Sequence, residues 1–91
     1  MYTIQYHPLV VHDDIPKLDA THKQRIKRSI EQRLLIDPET FGIPLRRSLR
    51  GYRKLRVGDY RIVFRIAGNT VYILAIMHRS IVYDHMSKRV W

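Results

Sequence analysis

Cysteine is absent from this 91-residue sequence, which removes disulfides and thiol nucleophiles and weakens any zinc reading. Long apolar runs are missing too. The longest, residues 71–77, falls short of the ~18–20 residues a membrane span needs and reads as a buried strand. The first residues, Met1-Tyr2-Thr3-Ile4-Gln5-Tyr6, lack the basic-then-apolar layout of a secretory signal. A cytoplasmic chain that makes no use of a membrane is therefore expected. Acids are scarce: eight Asp and Glu stand against seventeen Lys and Arg, a formal charge of +9. That surplus on so small a body favours phosphate-rich partners or an acidic protein. Hydrophobic residues make up 45% of the chain, so it is expected to fold, and its length suits one domain, residues 1–91.

The pattern along the chain predicts an α+β domain. Residues 3–6 read as a first strand and 9–15 as a short helix, broken near Pro16 because an interior proline removes a hydrogen bond and clashes with the preceding turn. Asp19 or Thr21 can cap a second helix over residues 20–35, whose Ile26, Ile30 and Leu34 form an apolar stripe. Asp37-Pro38 stops it, and residues 39–48 read as a connection. Three strands follow, 52–57, 60–67 and 70–77, separated by Gly58-Asp59 and Gly68-Asn69, dipeptides suited to two-residue hairpin turns. Residues 79–89 are helix-compatible. The expected order is βααβββα, a small twisted, mainly antiparallel sheet with the two N-terminal helices on one face.

A two-residue turn fixes register, and side chains alternate between faces. Around Gly58-Asp59, Val57 pairs with Tyr60, Leu55 with Ile62 and Arg53 with Phe64, which sends these residues toward the helices, Arg53 at the margin. Tyr52, Lys54, Arg56, Arg61 and Arg65 take the other face. The same arithmetic around Gly68-Asn69 pairs Arg65 with Tyr72, Val63 with Leu74 and Arg61 with Ile76, with His78 one step further on the cationic face. Directly opposed cations such as Arg56 and Arg61 cost stability unless an anion neutralises them. A solvated polar face is the alternative, but no acid is interleaved. His7, His12, His22 and His85 have no partner at ligand spacing, so no metal is expected, and Asp13 and Asp14 read as helix-polar or capping residues.

The segment Leu49-Arg50-Gly51-Tyr52-Arg53-Lys54-Leu55-Arg56-Val57-Gly58-Asp59-Tyr60-Arg61-Ile62-Val63-Phe64-Arg65 resembles the hallmark of the RelE/ParE toxin superfamily. His78-Arg79-Ser80-Ile81-Val82-Tyr83 is similar to its C-terminal basic-plus-tyrosine signature. The resemblance implies the RelE-like fold and a toxin of a type II toxin–antitoxin pair. In the RelE branch such a toxin enters the ribosomal A site and cleaves mRNA. The ribose 2′-hydroxyl attacks the adjacent phosphate without metal or cofactor, leaving a 2′,3′-cyclic phosphate. The resemblance makes Arg61 the phosphate-binding arginine and Lys54, Arg56 and Arg79 further cations. Tyr83 becomes an acid or base. His78, the imidazole next to this cluster, is either a second candidate for proton transfer or a capping or packing residue at the strand end. Arg50, Arg53, Arg65 and Lys88 are expected to add RNA-backbone contacts. The implied partners are the ribosome, mRNA and an acidic antitoxin encoded adjacently. Alternatives are a ParE-like inhibitor of DNA gyrase that cuts no RNA, and a non-toxic RNA- or protein-binding module of the same fold.

Overall fold

Two glycine-led turns organise the sheet. Gly58 and Gly68 both have φ of 60°, the left-handed conformation that two-residue hairpin turns require. They join β3 (Arg53–Val57), β4 (Tyr60–Ala67) and β5 (Thr70–His78) into an antiparallel meander. The computed structural model describes residues 1–89, and residues 90 and 91 of the expected domain lie outside the described residues. β1 (Thr3–Tyr6) pairs in parallel with β5, and β2 (Ile43–Pro44) pairs with the start of β3. The sheet order is β1-β5-β4-β3-β2.

The first helical segment is more broken than expected: a wide π-helical turn, Val10–Asp14, runs into a tight 3-10 turn, Ile15–Lys17, that accommodates Pro16 near its start. Leu18 is then extended, and Asp19 caps α1 (Ala20–Ser29) by accepting the His22 amide at 2.8 Å. A π-helical turn, Ile30–Leu34, prolongs α1 and keeps the stripe of Ile26, Ile30 and Leu34 buried. Asp37 caps the short α2 (Pro38–Phe41), so the expected connection over 39–48 holds the end of a helical turn and the edge strand β2. The predicted C-terminal helix is confined to α3 (Val82–Met86).

Register across the 58–59 turn is the one predicted, including Arg56 opposite Arg61. Across the 68–69 turn it holds from Ala67–Thr70 to Phe64–Ile73, then slips at Val63/Phe64. Val63 meets Ala75, Ile62 meets Ile76, Arg61 meets Met77 and Tyr60 meets His78, correcting the predicted Val63–Leu74 and Arg61–Ile76 pairs. The cause is a β-bulge, one extra residue in β5 that reverses the alternation beyond it. Leu74 and Ala75 both join the apolar cluster on the α3 side, and Ile76 turns to the α1 side.

The sheet consequently has two cores. The larger joins Val10, Ile26, Ile30 and Leu34 to Leu55, Ile62, Phe64 and Ile73. The smaller packs Val63, Leu74, Ala75 and Met77 under Val82 and Met86, with Leu45, Leu49 and Tyr52 at its margin. The face expected to be cationic throughout is thus partly roofed by α3.

Candidate RNA-contacting site

Backbone alternation on β3 and β4 puts Lys54, Arg56, Arg61 and Arg65 on the face opposite Leu55, Val57, Ile62 and Phe64, as expected. Packing of Val82 and Met86 onto that face, against Val63 of β4 and Leu74, Ala75 and Met77 of β5, brings the start of α3 beside Lys54 of β3. The Tyr83 ring, 39% exposed, then stands with its centroid 5.8 Å from Lys54 Nζ. An exposed cation–π contact is worth about 0.5–1 kcal/mol. Burying a large apolar side chain contributes about 1.5–3 kcal/mol. Burial of Val82 and Met86 therefore places Tyr83, and the contact with Lys54 is a result of that placement.

Three arginines converge on the turn at Gly58-Asp59. Arg61 is 8% exposed, and its Nη1 donates to the carbonyls of Gly58 at 3.0 Å and Tyr60 at 2.9 Å. Arg79 donates its amide to the Asp59 carbonyl at 2.8 Å, and its Nε lies 3.5 Å from Asp59 Oδ1. Arg25 approaches from the helix side, where a Cβ at Gly58 would stand 3.0 Å from its Nη1. Arg61 and Arg79 hold the turn, Arg25 lies against Gly58 from the helix side, and exposed Arg56 stands beside it on β3. Arg65 stands toward the other end of the sheet, its guanidinium 4.2 Å from the Tyr72 ring centroid.

One expected position is corrected. The bulge carries His78 off the cationic face and onto the Tyr60 side, where its ring lies edge-on to Tyr60 at 5.7 Å. His78 Nδ1 accepts the Ser80 amide at 3.2 Å and contacts Ser80 Oγ at 2.8 Å, which leaves the proton on Nε2. Arg53 faces the helix side, as the turn register predicts, with Nη1 donating to the carbonyls of Glu39 at 3.2 Å and Gly42 at 3.4 Å, away from the face where its RNA contact is expected. Arg50 and Lys88 are exposed, on the loop before β3 and beyond α3 respectively.

The sequence also concealed a buried ion pair. Asp14 and Arg89 meet at 2.7 Å with side chains 3% and 7% exposed. Asp14 Oδ2 accepts the Ile76 amide at 3.0 Å, while Arg89 Nη1 donates to the Leu74 carbonyl at 3.0 Å. These strand groups lie past Tyr6–Ile73, the last pair of β1 with β5. The pair therefore gives β5 hydrogen bonds that β1 does not reach, and ties the chain after α3 to the sheet. Only its acid–base identity was visible in sequence, because the residues lie 75 positions apart.

Among the described residues no group of three or more His, Cys, Asp and Glu is placed to hold a metal, and no helix is long and apolar enough to cross a membrane.

A family model described as the ParE toxin of the type II toxin–antitoxin system parDE matches residues 5–83. The chain belongs to the RelE/ParE superfamily of type II toxin–antitoxin toxins. It is 32% identical to the matched chain of the toxin–antitoxin complex RelBE2 from Mycobacterium tuberculosis, covering 86% of this chain and 98% of that one with a TM-score of 0.73. The RelB–RelE antitoxin–toxin complex from Methanococcus jannaschii matches at 26% identity, 88% and 95% coverage and a TM-score of 0.67. The E. coli toxin RelE, as a mutant in the free state, shares the fold at 21% identity, 96% and 95% coverage and a TM-score of 0.70. No curated protein sequence matches the chain.

Proposed function

We propose that this toxin is a ribosome-dependent endoribonuclease that cuts mRNA in the A site, and that Lys54 and Tyr83 carry the proton transfers. The observation that carries the reading is their placement side by side on the cationic face, Lys54 Nζ 5.8 Å from the centroid of the Tyr83 ring. Cleavage needs a group to take the 2′-hydroxyl proton and another to supply one to the departing 5′-oxygen. The 2′-oxygen forms the new bond to phosphorus, the bond to the 5′-oxygen breaks, and the products are a 2′,3′-cyclic phosphate and a 5′-hydroxyl. Lys54 and Tyr83 share the two proton roles. Arg56 and Arg79, both exposed, offset charge growing on the phosphate. Arg61, the least exposed of these cations, fixes the turn beneath them and adds positive potential from behind. No step calls for a metal or cofactor.

The test is a ribosome programmed with a defined A-site codon, challenged with folded toxin, with the cut ends analysed chemically. Cleavage to the two ends named above supports the reading, and intact message overturns it. The ParE description of the matching family model favours a second reading, inhibition of DNA gyrase. A supercoiling assay separates the two, since gyrase inhibition without message cleavage selects the second. Under either reading the partner is a cognate antitoxin with an acidic segment that covers the basic face. The antitoxin–toxin complexes among the structural relatives support it.

A further inference from the structure

On the helix side, α1 and the end of β3 enclose a cleft of about 370 Å³ lined by Arg25, Arg28, Arg33, Arg56, Gln32 and Val57 among others. No acid lines it, and among the described residues Arg25, Arg28 and Arg56 form no ion pair. Arg25 and Arg28 lie three apart on one helix face, a spacing that sets their Cβ atoms roughly 5–6 Å apart. Like charges gathered in this way repel one another until an anion enters among them.

We infer that this cleft is a second polyanion site, and that it takes the phosphodiester backbone of an RNA strand running on from the Lys54–Tyr83 site around the edge of β3. The inference rests on the RNA-cleaving reading above and extends it to a longer stretch of strand. Arg56 supplies the continuity, because it lines the cleft and also stands on the cationic face opposite Arg61. All four cations are arginine, whose rigid fork matches phosphate geometry bidentately. Val57 is the one apolar lining residue and it is buried. An acidic peptide would therefore find no pocket to anchor a side chain, which favours phosphodiester over peptide.

The probe is a fluorescein-labelled oligouridylate carrying 2′-O-methyl groups, which cannot be cut, titrated with the full chain over a range of salt. Arg25→Gln combined with Arg28→Gln keeps good helix formers at both positions. Removing two phosphate-binding cations lowers the log–log salt slope by about 1.4, at ~0.7 per phosphate on a single strand. Affinity falls by roughly tenfold or more, since both arginines donate charge-assisted hydrogen bonds to phosphate. Arg28→Glu, a single exposed change, shifts both readings in the same direction. An unchanged slope and affinity in both variants overturns the inference. So does weakened binding to a polyglutamate peptide with RNA binding intact, which makes the cleft a peptide site. A reduced slope in a toxin that cuts no ribosome-bound message supports the cleft and overturns the nuclease reading. Cleavage with an unchanged slope does the reverse.

Discussion

Asp14 and Arg89 form the most deeply buried ion pair described in the structure, 2.7 Å apart, and each also satisfies a backbone group of β5. Breaking one partner leaves a buried charge and an unpaired strand group, which costs about 3–5 kcal/mol. Arg89→Met is therefore expected to lower the denaturation midpoint sharply. Asp14→Asn, which keeps an acceptor for the Ile76 amide, is expected to cost less than Asp14→Ala. Chemical denaturation of the three variants checks the order.

The same pair stands just beyond the helix that carries Tyr83. Arg89→Lys retains charge but not the fork that reaches both Asp14 oxygens and the Leu74 carbonyl. It is expected to loosen α3 and reduce cleavage while the sheet stays folded. Amide exchange in residues 82–86, faster than in β4, is the accompanying signature.

Tyr83→Phe keeps the ring beside Lys54 and removes only the hydroxyl. A positioned acid or base contributes about 10²–10⁴-fold to rate, so a loss in that range with unchanged thermal stability is expected. Lys54→Met gives a similar loss. The double variant falls little further than the worse single one if the two groups serve one proton-transfer pathway. Single-turnover cleavage on programmed ribosomes measures the cycle.

Arg61→Lys tests whether a fork is needed at the turn. One ammonium replaces a guanidinium whose Nη1 reaches two carbonyls, Gly58 and Tyr60. Activity is expected to fall although the charge is kept, with exchange of the 58–59 amides rising. Equal activity in the two proteins would assign Arg61 to bulk potential alone.

Acid lability has a specific contributor. The Asp19 carboxyl titrates below its ordinary 3.8, first because it accepts the His22 amide and then the His22 side chain. A depressed folded value means the stabilisation is present above 3.8 and is lost as pH falls through the lower folded value. Asp19→Asn keeps the cap acceptor and is expected to flatten that part of the stability–pH curve, read by thermal melts from neutral to acid pH.

The turn dipeptides made the 53–65 hairpin legible to the residue, including the split that keeps Arg53 away from Lys54. They set only the first four pairs of the next hairpin, because nothing local announces the extra residue at Leu74. The bulge is supported from outside the strand, by Asp14 and Arg89 and by the packing of Leu74 and Ala75 under Met86. That slip is why the sequence pattern points His78 to the cationic face while the residue stands beside Tyr60. Tyr83 follows from the family resemblance, and the apolar residues Val82 and Met86 supply the physical reason. The arginine cleft is invisible in sequence, because Arg25 and Arg28 read as the ordinary polar side of an amphipathic helix until β3 is set beside them.

Whether Lys54 and Tyr83 perform RNA cleavage on the ribosome is tested most directly with three proteins. The unsubstituted toxin, Lys54→Met and Tyr83→Phe are each added to ribosomes holding a defined A-site codon, and the message ends are identified. The unsubstituted toxin is expected to leave a 2′,3′-cyclic phosphate and a 5′-hydroxyl, and both folded variants to lose nearly all product. Intact message with the unsubstituted toxin, or undiminished cleavage by both variants, would contradict this assignment.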